Sequence, residues 1–255
     1  MNTWQFDERR NAVRWHDTSP AGTPLIYLHG LGCASSSDYP RVVASLEYLD
    51  ARSWLVDLPG AGFSDKPNTL DYRSLAQASL LQEWISAQAI SEVELFGHSA
   101  GAFIALKLAA LAPCRVKRLI LCAPGLNEYG VAFLQSITAM SQSDFEATGF
   151  DQLLTQLKEA LSNDAWLGPL QTCSARAVYQ WANSALEDNA SDWLGALAVI
   201  PGHKGVILPD SATQQEIESY LQIGCRVELI ANSGHMIAYD NPDELAAAIS
   251  RLRGQ

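Results

Sequence analysis

A chain of 255 residues, 48% apolar and 18% charged, has room for one α/β domain with an insertion or for two small domains, and enough apolar side chain to fill a core. A net charge of −11 with no lysine- or arginine-rich stretch disfavours nucleic acid as a partner, and without a run of about eighteen apolar residues a membrane span is not expected. Five cysteines (Cys33, Cys114, Cys122, Cys173 and Cys225), an odd number without C-x-x-C spacing, fit neither a zinc ribbon nor a disulfide framework and are expected to be reduced.

Residues Met1–Arg10 are polar and charged with no apolar signal core, so a cytoplasmic location is expected. Thr3–Phe6 and Ala12–His16 read as an antiparallel edge hairpin turning at Asp7–Arg10, and Pro20–Pro24 as a loop. Leu25–Leu28 is a continuous apolar run, the pattern of a strand buried on both faces, and it ends in the loop His29-Gly30-Leu31-Gly32-Cys33-Ala34. A helix is expected over Pro40–Leu49, then a strand over Ser53–Val56 that closes in Asp57-Leu58-Pro59-Gly60-Ala61-Gly62-Phe63-Ser64-Asp65. Leu81, Trp84 and Ile85 line one face of a helix expected from Arg73 to Gln88. The buried strand Val93–Phe96 leads into Gly97-His98-Ser99-Ala100-Gly101, and Ala102–Ala112 reads as a helix stopped by Pro113. Arg118–Cys122 is the next strand, closed by Ala123-Pro124-Gly125. This alternation predicts an α/β fold with a parallel, doubly wound sheet.

From Leu126 to Gly195 the alternation breaks into helical segments such as Phe150–Leu161 and Ala175–Leu186, a stretch too long for a simple loop. It leaves the carboxyl end of a strand, the edge at which ligands bind in open α/β sheets. Residues 1–125 and 196–255 are therefore expected to form the core, and 126–195 an inserted helical lid. Trp166, Trp181 and Trp193 in that insertion either pack it onto the body or wall an apolar pocket. The pattern resumes with a strand from Pro201 to Leu208, then Pro209-Asp210, a helix over Gln214–Gln222 and a last strand over Arg226–Ile230. The loop Ala231-Asn232-Ser233-Gly234-His235 follows, and a closing helix begins with Asn241 as N-cap, Pro242 at N1 and Glu244 at N3.

A serine between two glycines at a strand-to-helix junction is the pattern of a nucleophile elbow. A serine hydroxyl needs a base to take its proton, the base needs a carboxylate to orient it, and the developing oxyanion needs fixed N–H donors. Ser99 is the candidate nucleophile. Of the five histidines, His16 falls in the edge hairpin, His29 in the glycine-rich loop, His98 is expected to point back along the elbow strand, and His203 lies at a strand start. Only His235 follows a strand on the final loop, which makes it the candidate base. Asp210, after the preceding strand, is the candidate acid, with Glu128 as the alternative; Asp240 is assigned to the turn before the last helix. The amides of Leu31 and Ala100 are the candidate oxyanion donors, and Gly30, Gly32, Cys33, Trp166 and Trp181 are expected to contact substrate. No histidine is placed to activate Cys33, so its thiol is expected to pack or to face substrate. Gly60-Ala61-Gly62 lacks the lysine and hydroxyl of a phosphate-binding loop.

His29-Gly30-Leu31-Gly32, the Asp57–Ser64 loop, Gly97-His98-Ser99-Ala100-Gly101 and Gly234-His235 with Asp240-Asn241-Pro242 occur in an order that resembles the α/β-hydrolase superfamily, in its lid-bearing esterase-like branch. The resemblance covers nearly the whole chain and departs at the acid, where the usual Gly-x-x-Asp reads Ile207-Leu208-Pro209-Asp210. It implies a serine hydrolase that acts on a carboxylic ester or lactone through an acyl-enzyme, with no metal or organic cofactor; the composition of the insertion points to a small, apolar substrate, and the charge and apolar pattern to no nucleic acid and no membrane partner. Haloalkane dehalogenases and epoxide hydrolases of similar fold carry aspartate at the elbow, and hydroxynitrile lyases carry lysine after the base, where this chain has Met236. A cofactor-free perhydrolase, or a small-molecule binder with weak or vestigial hydrolysis, remains an alternative reading.

Overall fold

The computed structural model describes residues 1–19, 21–49, 52–160 and 164–254. Its strands are β1 (Asn2–Gln5), β2 (Ala12–Asp17), β3 (Leu25–Leu28), β4 (Ser53–Asp57), β5 (Val93–His98), β6 (Val116–Cys122), β7 (His203–Pro209) and β8 (Arg226–Ile230). They form one sheet in the order β1-β2-β4-β3-β5-β6-β7-β8. The pairs β1–β2 and β2–β4 are antiparallel and all the others parallel. Every residue of β3, β4 and β5 is buried, as expected of central strands covered on both faces; β3 is apolar throughout, and β4 and β5 largely so.

Side-chain alternation divides the interior in two. Ile26, Leu28 and Leu95 face a core built with the helices Ser74–Ala87 and Ala100–Leu111, in which Trp84 lies against Trp15 and Trp54 at ring separations of 5.1 and 5.2 Å. Leu25, Tyr27 and Phe96 face the other core, closed by the helix Pro242–Arg253. At the amino end of the sheet the carboxylate of Glu94, nearly buried in β5, is held by Arg118 and Arg253.

The expected helix over Pro40–Leu49 is not formed as one piece. Short turns of helix cover Ser35–Asp38 and Pro40–Val43, and the Ser45 hydroxyl then accepts the N–H of Glu47 across 3.2 Å. A side-chain acceptor competes there with the helical carbonyls. The chain turns inward to place the Tyr48 hydroxyl against Tyr27 and Ser53. Elsewhere the expected elements stand within a few residues of their sequence bounds; Pro20 and Leu161, at the edges of an expected loop and helix, fall outside the described residues.

Between β6 and β7 the described residues form helices, among them Glu128–Thr138, Phe150–Glu159, Asp164–Gln171, Ala175–Ala190 and Trp193–Val199. The helix Ala175–Ala190 is tied to the segment after β4, where Ser174 N–H donates to Gly60 O, Tyr72 N–H to Gln180 and Ser74 N–H to Ser184. Among the described residues no helix is long and apolar enough to cross a membrane.

The turn from β5 into the helix Ala100–Leu111 permits no side chain at two points. A Cβ on Gly97 would sit 2.7 Å from Ala105 Cβ and 2.8 Å from Ala102 Cα, and one on Gly101 would sit 2.2 Å from the backbone oxygen of His29. Backbone cannot swing aside as a side chain can. Gly101→Ala is therefore expected to lower the unfolding free energy by about 1–3 kcal/mol or more, read as a lower urea midpoint with unchanged slope.

Candidate active site

At the end of β5, Ser99 adopts φ 52° and ψ −125°, a conformation that an L-residue keeps only when its surroundings enforce it. Its N–H donates to the carbonyl of Cys122 at the end of β6, across 3.0 Å. The helix that follows begins at Ala100, whose N–H lies in the first turn and has no carbonyl four residues back within the helix. Ser99 Oγ lies 2.9 Å from His235 Nε2, the arrangement in which the hydroxyl donates to a neutral imidazole.

His235 stands on the loop after β8, and that loop is braced largely from within. Ser233 Oγ–H donates to Ile230 O, Asn241 to Ala231 O, and Gly234 N–H donates to Asp240 Oδ2 across 2.8 Å. Asp240, assigned from sequence to a turn, thus also shapes the loop. His235 is open to solvent along one edge, yet enough protein surrounds the ring that burial holds its pKa below the ordinary histidine value.

His98 does not point back along its strand. Its ring borders the same cavity, 5.0 Å from the His235 ring, and its Nε2–H donates to the His235 carbonyl across 2.9 Å. A carbonyl can only accept, so the proton must sit on Nε2. Burial, with the neighbouring His235 adding to it, pushes the His98 pKa down to about 3.

The loop after β3 is fixed by a second buried histidine. Leu58 N–H donates to His29 Nε2 across 3.0 Å, which places the His29 proton on Nδ1, and Nδ1–H donates to Gly30 O across 2.8 Å. In a trans peptide the following N–H points the opposite way, so the Leu31 amide faces away from His29. Trp166 Nε1–H donates to Leu31 O across 3.1 Å, holding the next peptide as well. Asp57 ties this loop to the one after β4, accepting from Ser36 and from Phe63 N–H. Sequence reading placed His29 in the loop without this role; the signal was a histidine directly before Gly-x-Gly.

A cavity of about 420 Å³ opens over Ser99. Leu31, Leu126, Phe133, Leu134, Trp166 and Met236 form most of its apolar wall, with Phe133 and Trp166 in edge contact at 5.5 Å. No lysine, arginine, aspartate or glutamate lines it among the described residues. Of the residues singled out from sequence, Gly30, Leu31, Cys33, Ala100 and Trp166 border it. Burial raises the Cys33 thiol well above its usual range, so it is no thiolate.

Three expected site residues lie elsewhere. Gly32 sits behind the loop against Leu170 and Trp166. Trp181 is buried edge-on to His29 at 5.8 Å, and supports the loop rather than the cavity wall. Asp210 follows β7 with its N–H donating to Ile230 O, the last residue of β8, but its side chain is exposed. Neither Asp210 nor the exposed Glu128 reaches His235, and no carboxylate is hydrogen-bonded to its ring among the described residues. The third tryptophan between β6 and β7, Trp193, packs on Phe103 and Tyr220.

A profile of the Alpha/beta hydrolase family matches residues 25–248, and the chain belongs to that family. It is 28% identical over 222 residues to N-formylmaleamate deformylase of Pseudomonas putida, covering 79% of this chain and 77% of that protein. It is 24% identical over 242 residues to Esterase YbfF of Escherichia coli, covering 90% and 92%. Among solved structures, an esterase from Exiguobacterium antarcticum superposes with a TM-score of 0.77 at 20% identity, over 99% of this chain and 100% of that one, a likeness of fold.

An unfolded histidine takes up its proton near pH 6.5, whereas folded His98 stays neutral down to about pH 3. Between those values the unfolded chain binds more protons. The contribution of neutral His98 is thus complete above pH 6.5 and is lost as pH falls toward 3. Urea titrations of the wild type and of His98→Gln at about pH 7.5 and about pH 5 should show a smaller acid-induced loss in the variant.

Proposed function

We propose that this alpha/beta hydrolase cleaves a small, uncharged carboxylic ester or lactone through an acyl-enzyme on Ser99. The contact of 2.9 Å between Ser99 Oγ and His235 Nε2 carries the reading. In the proposed reaction His235 takes the hydroxyl proton as Oγ attacks the carbonyl carbon. The Leu31 and Ala100 amides receive the oxyanion, and collapse of the tetrahedral adduct expels the alcohol, which takes the proton from His235. Water, deprotonated by the same ring, then attacks the acyl-enzyme and returns the serine. Burial supports the role of base, because a lowered pKa keeps the imidazole neutral at neutral pH.

The helices 126–195 are proposed to act as a lid, since Leu126, Phe133, Leu134 and Trp166 supply much of the wall over the serine. The composition of that wall favours an uncharged acyl group. An anionic substrate would find no cation among the described lining residues, and burying an unpaired carboxylate is costly. This separates the proposed substrate from N-formylmaleamate, the compound in the name of the Pseudomonas putida relative. Asp210 is proposed as the acid because its backbone is hydrogen-bonded to the end of the strand that carries the His235 loop. Its carboxylate must turn from solvent to the ring to serve.

Ser99→Ala is expected to abolish hydrolysis of neutral short-chain p-nitrophenyl esters with the fold intact by circular dichroism, and a fluorophosphonate probe should label the wild type at Ser99. A wild type that resists the probe would favour the binding reading over the hydrolase. Asp210→Asn is expected to lower kcat by about 10³-fold or more, by analogy with loss of the orienting carboxylate in serine proteases. If Asp210→Asn turns over like wild type, the acid role passes from Asp210 to Glu128, tested by Glu128→Gln, or to no carboxylate at all.

A further inference from the structure

The Ser99–His235 contact depends on where the final loop holds the His235 backbone, and one side chain grips that backbone at the residue itself. His98 Nε2–H donates to His235 O across 2.9 Å. His98 is itself immobilised. It ends β5, every residue of which is buried, and its ring is 6% exposed. On one side lies the His235 ring. On the other lies Gly30, where even a Cβ would come within 3.0 Å of His98 Nδ1. The donor therefore sits one residue before Ser99 on the same strand end, so serine and base are referred to a single rigid point.

We propose that His98 is a positioning residue that sets the distance of His235 from Ser99 through the His235 carbonyl, a role that rests on the reaction proposed above. Two further observations support it. No carboxylate is bonded to the His235 ring among the described residues, so its orientation in this structure comes from its backbone and from the contact with Ser99. Burial also keeps His98 neutral down to about pH 3, so above that pH the contact brings no charge next to the His235 ring. The loop has a separate brace beyond the base, where the Tyr239 hydroxyl donates to the buried Asp38 across 2.7 Å, but that contact holds the short helix Ile237–Asp240 and not His235.

The test compares three substitutions. In glutamine, Nε2 is as many bonds from Cβ as in histidine and can still donate to the carbonyl. In asparagine, the amide ends at the position of Nδ1 and falls short, and leucine has no donor. With a neutral p-nitrophenyl ester, His98→Leu is expected to lower kcat about 10- to 100-fold with KM changed by less than about threefold, the pattern of a displaced reacting group. Fluorophosphonate labelling of Ser99 should slow in parallel, and His98→Gln should recover most of both. Should His98→Leu fail to fold, the comparison becomes His98→Gln against His98→Asn, with Gln faster by about tenfold. A folded His98→Leu with kcat within about twofold of wild type, a loss confined to KM, or a Gln variant as slow as Leu or Asn would overturn the role. In those cases an active, probe-labelled wild type leaves the hydrolase reading standing. A wild type that neither turns over nor labels removes the reaction, and this role with it.

Discussion

The close approach of the helix Ala100–Leu111 to the loop after β3 is the constraint on which the rest of the site depends. Gly101 lies so near the His29 carbonyl that a single methyl group would occupy the same space as the oxygen. That contact sets the start of the helix against the loop, and Gly30, Leu31 and Ala100 all border the cavity. It also forces Ser99 into its left-handed turn, since strand and helix leave no other path for the chain between them. The strain is local and is held by the most deeply buried part of the sheet. A surface loop could not maintain it.

Around this point the chain uses neutral buried histidines as fixed hydrogen-bonding parts. His29 accepts from the loop after β4 and donates within its own, which orients the Gly30–Leu31 peptide. His98 donates to the loop that carries His235. An imidazole suits this task because one flat ring offers a donor and an acceptor at opposite edges, and at His98 burial suppresses the charge that would make both nitrogens donors. The helices between β6 and β7 add a further hold from above through Trp166 and Leu31. That hydrogen bond ties the helix Asp164–Gln171 to the loop, so movement of the Trp166 segment would be felt at the Leu31 peptide.

Much of this was legible in the sequence, for identifiable reasons. An uninterrupted apolar run marked β3 and short, largely apolar runs marked β4 and β5, because strands buried on both faces carry few polar positions. Gly97 and Gly101 marked the elbow, because backbone contact excludes every other residue. His235 stood out by its place after the last strand. The failures are as specific. Pro40–Leu49 has helical composition, but Ser45 diverts a backbone N–H and Tyr48 is drawn inward to Tyr27, a partner distant in sequence. Trp181 and Trp166 have the same side chain in the same insertion, yet one supports His29 and the other borders the cavity, a distinction set by how helices pack on the body. For Asp210, sequence gives the strand it follows but not the rotamer, and in this structure the carboxylate faces solvent. His98 was assigned a direction from its strand when its neighbours, absent from any local pattern, decide it.

The charge distribution bears on what such a site can do. The chain carries a net charge of −11, yet the cavity wall over Ser99 holds no ionised side chain among the described residues. In the proposed reaction, proton transfer from Ser99 to His235 would create an imidazolium and an oxyanion in surroundings with little other charge. In such a medium the attraction between the two is strong, and so is the penalty for any misplacement of the amides that receive the oxyanion. Fixed geometry then matters more than added charge. His29, Trp166 and His98 each hold a backbone group at the cavity edge without bringing a charge there, which leaves the field within it to the reacting atoms.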